Sequence, residues 1–302
     1  MGKIAYVFPG QGSQYAGMGL DLYQNVPAAK AVFDEADKVL GFPLSKLCFE
    51  GPEEELTKTV NAQPALLTMS VACLAAAKEK LPKADFAAGH SLGEYSALTA
   101  AGAMPFADAL KLSRERGRLM FEAGQQVAGA MSAVIGMAAE PLQAVCEENG
   151  VYIANYNCPG QIVISGEPDK VRAAGKAARK NGAKLAIPLA VSGAFHCPLM
   201  QSAAERLAPQ IDAATVSAPQ IPVIGNVQAQ PLTTAEAIKQ ELKDQICSCV
   251  QWEGIVRYLL DQGVDTFIEI GPGEVLTGLL KRIAPEAKHI NIGKLFDLEA
   301  LG

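Results

Sequence analysis

The chain has 302 residues, 49% hydrophobic and 19% charged, with a formal net charge of −6. That balance excludes a disordered polyelectrolyte, and an acidic chain without a basic stripe argues against a nucleic-acid partner. A chain of this length buries roughly three quarters of its unfolded surface, so one large domain with a smaller insertion suits it as well as two equal domains.

From the N-terminus, "IAYVF" (4–8) reads as a strand, followed by the glycine-bearing loop "FPGQGSQ" (8–14). Helices are predicted over 27–40 and 64–80, a strand at "FAAG" (86–89), and helices over 92–101 and 105–123. The middle changes character. "AMSAVIG" (130–136) is a strand and "AAEPLQAVCEENG" a helix ending at Gly150. "VYIANYN" (151–157) and "QIVISG" (161–166) are strands joined by "CPG". "EPDKVRAAGKAARKNG" is a second helix and "AKLAIPL" (183–189) a last strand. This β-α-β-β-α-β order predicts a ferredoxin-like subdomain over 127–190. Beyond it come helices over 199–209, 234–244, 251–262 and 274–283, with strands at 222–227 and 266–270. Strands alternating with helices predict an α/β domain with a mostly parallel sheet, made of 1–126 and 191–302.

The seven cysteines are odd in number and lack zinc-type spacing; Cys247 and Cys249 form a C-x-C pair with no second pair nearby. Reduced thiols in a cytoplasmic protein, with no metal, are the expectation. The first apolar run is five residues, too short for a signal-peptide core, and no apolar run is read as approaching membrane-span length, so no membrane association is expected.

"AAGHSLGEYSA" (87–97) carries the strongest chemical signal. "GHSLG" fits the G-x-S-x-G nucleophile elbow, and strand "FAAG" before it and a helical stretch after it supply the context that motif requires. Small Gly89 and Gly93 permit a sharp turn that raises the Ser91 hydroxyl at a helix N-terminus, where the helix dipole favours a developing anion. The bland alternative is a serine N-cap in a glycine-rich turn.

A serine nucleophile needs a base, and the chain has three histidines. His90 adjoins Ser91 and is expected to point away; His289 sits in "APEAKHINIG" without a functional setting. His196, in "VSGAFHCPLM", lies where the inserted unit rejoins the main domain, a natural cleft wall. One oxyanion donor of such a site is the N–H after the nucleophile, here Leu92, and the other comes from a separate strand-end loop, for which Gln11 is the candidate. A nucleotide-phosphate loop is the rival reading of "GQGSQ", which lacks the P-loop lysine and the dinucleotide glycine spacing.

Together, "FPGQGSQYAGMG", "QPALLTMSVA", "AGHSLGEYSAL", "RERGRLM", "NYNCPGQIVISG", "GAFHCPLM" and "EIGPGEVLTGLLKRI" occur in the order seen in malonyl-CoA:acyl carrier protein transacylases, and the chain resembles that family over nearly its whole length. The resemblance implies an α/β-hydrolase-like domain carrying a ferredoxin-like subdomain. It implies Ser91 as acyl acceptor, His196 as general acid/base, and the N–H groups of Gln11 and Leu92 as the oxyanion hole. It adds Arg116 as the residue gripping the malonyl carboxylate, a task that suits a planar, permanently charged guanidinium. It places a backbone carbonyl on the second histidine nitrogen, aligned to Gln245 with Ser248 as the alternative. Cys249 stands where the family commonly has proline. Phe195 looks like the pocket wall that disfavours branched acyl groups, and Asn157 is expected near the cleft without a role in bond making.

The activity so implied is transfer of malonyl from malonyl-CoA to the phosphopantetheine thiol of holo-acyl carrier protein through a malonyl-serine, by a cytoplasmic monomer needing no cofactor. A serine thioesterase or hydrolase of the same fold, and a non-catalytic carrier-binding module, are the rivals. Lys281, Arg282 and Lys288 are candidates for a basic patch facing an acidic carrier.

Overall fold

The computed structural model describes residues 2–301. Its ten strands are β1 (Lys3–Phe8), β2 (Phe86–Gly89), β3 (Ala130–Ile135), β4 (Tyr152–Cys158), β5 (Gln161–Gly166), β6 (Leu185–Pro188), β7 (Val223–Ile224), β8 (Pro231–Leu232), β9 (Val264–Ile270) and β10 (Lys288–Ile292). Six form one sheet in the order β10-β9-β1-β2-β7-β8, and four form a second in the order β4-β5-β3-β6. The first sheet is parallel except for β8, which pairs antiparallel with β7. The second is antiparallel throughout.

A parallel sheet must be covered on both faces, and alternate residues of its strands do enter two different cores. Ala5 and Val7 of β1 pack with Trp252, Ile255 and Leu280, while Phe8 packs with Leu66, Leu92 and Leu98. The second sheet is likewise two-sided. Val134, Ile153 and Ile164 pack under the helices Ala139–Asn149 and Pro168–Lys180. Met131, Ala133, Ala154 and Val163 from its other face join the principal core. A parallel bridge from Asn155 to Val250 ties the β4 edge to the larger unit.

Several sequence expectations shift. The helix predicted over 64–80 runs Thr59–Ala77, with Pro64 inside it rather than at its start. Proline has no N–H to donate four residues back, which frees the Val60 carbonyl, and Arg114 fills the gap with a 2.7 Å bond from Nη1. This helix also overturns the expectation on apolar length. Its nineteen residues carry no charge and pass for a membrane span by length and composition. Most of them are buried in the core, packed against the helix Phe106–Gln126. The strand predicted over 222–227 closes at Ile224, because Asn226 leaves the sheet, and β10 has no counterpart in the sequence prediction.

What the fold does for function is bring three loops together. β1, β2 and β7 are neighbours, and the segments leaving their carboxyl ends carry Gln11, Ser91 and Asn226. In a parallel sheet that edge is where ligands bind.

Candidate active site

Ser91 sits between β2 and the helix Gly93–Ala100 with φ of 51°. A left-handed backbone costs a residue with a Cβ about 1–2 kcal/mol, so the turn needs external support. The glycines around it are required by close approach. A Cβ on Gly89 would lie 1.9 Å from the Gly93 carbonyl carbon, and one on Gly93 would lie 2.1 Å from the Phe8 oxygen.

Ser91 Oγ lies 2.8 Å from His196 Nε2, although the two are 105 residues apart in sequence. His196 is also left-handed, at φ 57°, and its Nδ1 lies 3.0 Å from the Gln245 carbonyl oxygen. A carbonyl only accepts, so Nδ1 carries the proton, Nε2 is the free base, and the serine hydroxyl donates to it. Burial first, and the Arg116 cation second, push the imidazole down to about 3. The ring is therefore neutral at physiological pH.

Arg116 is 1% exposed. Its Nη1 donates to Gln63 Oε1 at 2.7 Å; Nη2 donates to Gln245 Oε1 at 2.9 Å and to Ser91 Oγ at 3.2 Å. Every one of these acceptors is neutral, Nε has no partner, and no ion pair reaches the guanidinium among the described residues. Its neighbours in sequence are committed elsewhere: Arg118 pairs with Glu115 and Glu122, and Arg114 caps Val60 and Asn61. A buried cation without a counterion is costly. An arriving carboxylate would offset that cost.

A cavity of about 360 Å³ joins these groups. Gln11, Leu92 and Phe195 line it beside Ser91, His196 and Arg116, with Met120, Met131, Leu189 and Val191 giving an apolar wall. Among the described residues the N–H groups of Gln11 and Leu92 donate to no protein acceptor. The Gln11 side chain is anchored by Thr59 Oγ1 at 2.7 Å, and Thr59 by Gln63 Nε2 at 3.0 Å. A continuous polar chain thus runs from Arg116 through Gln63 and Thr59 to the Gln11 loop.

All seven residues singled out from sequence are brought together here. Gln245 contributes more than its carbonyl, since its side chain also bonds Arg116 and, through Nε2, the Ser91 oxygen at 3.0 Å. His90 points away from the Ser91 hydroxyl, with Nε2 2.9 Å from Asn157 Oδ1 and its ring against Trp252. Sequence reading missed Gln63, Thr59, Asn226 and Glu94. The first two were visible only as polar residues four apart in an uncharged helix. Among the described residues no group of three or more His, Cys, Asp or Glu side chains is placed to hold a metal ion.

The arrangement offers a serine hydroxyl bonded to an imidazole, two unengaged N–H groups beside it, and a fixed cation within reach of the hydroxyl. Comparison with known proteins places it in context. A family model described as acyl transferase domain matches residues 5–295. The chain is 53% identical over 297 residues to the malonyl CoA-acyl carrier protein transacylase of Bacillus subtilis (strain 168), covering 97% of this chain and 94% of that protein. It is 46% identical over 288 residues to the transacylase of the same name from Escherichia coli (strain K12), covering 94% and 93%. Among solved structures it is similar to an acyl carrier protein S-malonyltransferase from Vibrio cholerae, with TM-score 0.95, 43% identity, and coverage of 99% and 100%. It is also similar to a malonyl-transacylase in complex with a type II PKS acyl-carrier protein, with TM-score 0.96, 44% identity, and coverage of 99% and 98%.

Proposed function

The chain belongs to the acyl transferase domain family, and on that footing we propose that it moves a malonyl group from malonyl-CoA to the phosphopantetheine thiol of an acyl carrier protein. Ser91 Oγ gives its proton to His196 Nε2 and attacks the thioester carbonyl. The oxyanion is received by the N–H groups of Gln11 and Leu92, in a site already arranged for it. On collapse the C–S bond breaks, His196 Nε2–H protonates the CoA sulfur, and malonyl remains as an ester on Ser91. The carrier thiol then passes its proton to His196, attacks the ester, and Ser91 leaves as the alcohol. The Gln245 carbonyl holds the imidazole in the required tautomer throughout, and Phe195 bounds the space beside the α-carbon.

One observation carries the choice of acyl group: Arg116, buried without a counterion, stands 3.2 Å from the nucleophile. Malonyl is the shortest diacid chain that leaves a free carboxylate one methylene beyond the ester carbonyl. A hydrolase acting on neutral acyl groups would gain nothing from that cation. The apolar cavity wall suits a pantetheine arm.

The sheet order β4-β5-β3-β6 and its two crossing helices support reading 127–190 as a ferredoxin-like subdomain within an α/β-hydrolase-like domain of 1–126 and 191–302. The side facing an acidic carrier is reassigned. Arg282 is occupied by Gln161 and the Pro159 carbonyl, which weakens the patch expected at Lys281, Arg282 and Lys288. Residues 167–184 instead carry a net charge of +4 in a chain of −6. Arg172, Lys176 and Arg179 line a groove that shares Met131 with the active-site cavity. We read the protein as a cytoplasmic monomer needing no cofactor.

The test is intact mass after incubation with malonyl-CoA, acetyl-CoA and methylmalonyl-CoA in parallel. The expected result is a malonyl adduct on the native chain and none on Ser91→Ala. An adduct persisting in that variant, or rapid release of free malonate without any thiol acceptor, would overturn the proposal.

A further inference from the structure

Asn226 lies beneath the nucleophile, and we propose that it is the positioning residue that fixes the Ser91 peptide and selects which backbone N–H groups face the acyl oxygen. The inference rests on the acyl-transfer reading above. Asn226 is fully buried at the end of β7. Its Oδ1 accepts from the Ser91 N–H at 2.7 Å, and its Nδ2 donates to the Gly89 carbonyl at 2.8 Å and to Glu94 Oε2. Its own N–H donates to the same Glu94 oxygen at 2.9 Å. The amide therefore has one workable orientation. Reversing it would set NH₂ against the Ser91 N–H, and a carbonyl against the Gly89 oxygen and a carboxyl group.

Two consequences follow for the reaction. The Ser91 N–H is drawn down toward β7, which leaves the next N–H, that of Leu92, to face the cavity. The left-handed turn at Ser91 is also held from both sides: Asn226 takes its N–H, and Gln245 Nε2 takes its carbonyl. Arg116 is held by Gln63 and by the Gln245 side chain, neither of which bonds Asn226. Loss of Asn226 should therefore disturb the nucleophile and spare recognition of the substrate.

The experiment compares Asn226→Leu and Asn226→Asp with the native protein. Leucine keeps the branched shape and removes all three side-chain bonds. For it we expect malonyl-enzyme formation to slow roughly a hundredfold, the effect of a nucleophile displaced by about an ångström, with KM for malonyl-CoA within about twofold. Aspartate keeps the acceptor for the Ser91 N–H but must be protonated to replace the Nδ2 donor. The titratable and charged groups facing that position are Glu94 and Glu241, with Arg116 beyond Glu94 and Asp244 beyond Glu241. Activity of Asn226→Asp should accordingly recover as pH falls through the carboxyl range, whereas the leucine variant and the native protein show no such gain.

A fluorophosphonate that labels serine hydroxyls reads the nucleophile without the malonyl group. Its reaction should slow in parallel in Asn226→Leu. That arm separates the two claims: if malonyl-CoA fails to acylate the native chain but fluorophosphonate labelling still depends on Asn226, the acyl-transfer reading fails and the positioning role stands. Native labelling rates in a folded Asn226→Leu, or a KM rise matching the rate loss, would overturn the inference. If the leucine variant does not fold, the pH response of Asn226→Asp decides, and a flat response counts against it.

Discussion

Gln245 accepts from His196 Nδ1 through its main-chain carbonyl at 3.0 Å while its side chain meets the guanidinium that points at the Ser91 hydroxyl. One residue thus sets the tautomer of the base and the place of the cation. The imidazole and the guanidinium are coupled in structure, and their charges are coupled as well: Arg116 is the second cause, after burial, that keeps His196 unprotonated.

That coupling predicts an unusual pH profile. General base catalysis requires neutral imidazole, and protonation of His196 is opposed by burial and by Arg116. The acid limb of kcat/KM for Ser91 acylation should lie well below the ordinary imidazole value of 6.5 and toward the value of about 3 in the free protein. Arg116→Ala removes the second largest of the three causes, which are burial, Arg116 and His90, and should move the limb upward. A limb near 6.5 in the native enzyme would contradict the assignment.

Arg116→Ala should also raise KM for malonyl-CoA on the order of a hundredfold, the worth of a paired charge-assisted contact. KM for acetyl-CoA, which has no second carboxylate, should change by less than about threefold. Steady-state kinetics with both donors checks this. Equal effects would mean that the guanidinium only positions Ser91.

Phe195 is buried beside His196 and lines the cavity. Phe195→Ala should improve kcat/KM for methylmalonyl-CoA relative to malonyl-CoA by roughly 10- to 100-fold, the range that one methyl group in a pocket commands. The ratio from competition between the two donors is the measurement.

Gly93 is held to the Phe8 oxygen by proximity. Gly93→Ala should cost about 3 kcal/mol or more, because its Cβ would fall 2.1 Å from that backbone atom, so that strand or helix must shift. A shift in the urea midpoint reads it. A neutral result would mean the elbow is looser than its packing implies.

Lys176→Glu combined with Arg179→Glu should slow transfer to the carrier about tenfold, less so at high salt, with loading from malonyl-CoA within about twofold. Single-turnover measurements of the two half-reactions separate them. An equal loss in both would place the carrier elsewhere.

Much of this site was legible in the residues themselves. The elbow has a local signature, since the strand, the glycines and the helix after Ser91 are contiguous. His196 could be reached by elimination among three histidines. The role proposed for Arg116 comes from resemblance alone, because helix spacing does not tell which of three arginines is buried. Asn226 and Gln63 were illegible for a different reason. A polar residue at a strand end or on an uncharged helix looks solvent-facing until the chain folds, and both find their partners more than fifty residues away. β10 escaped because five residues of mixed polarity read as a loop until β9 lies beside them.

Pro64 and Arg114 show how such distant partners are kept in register. A proline ordinarily interrupts a helix; here the proton it lacks acts as a docking mark, and a single side chain from the helix Phe106–Gln126 fits it. Two residues further along that second helix is Arg116. Sliding one helix past the other by a turn would forfeit the match, so an imino acid with no chemistry of its own calibrates how far the buried guanidinium stands from the Ser91 hydroxyl.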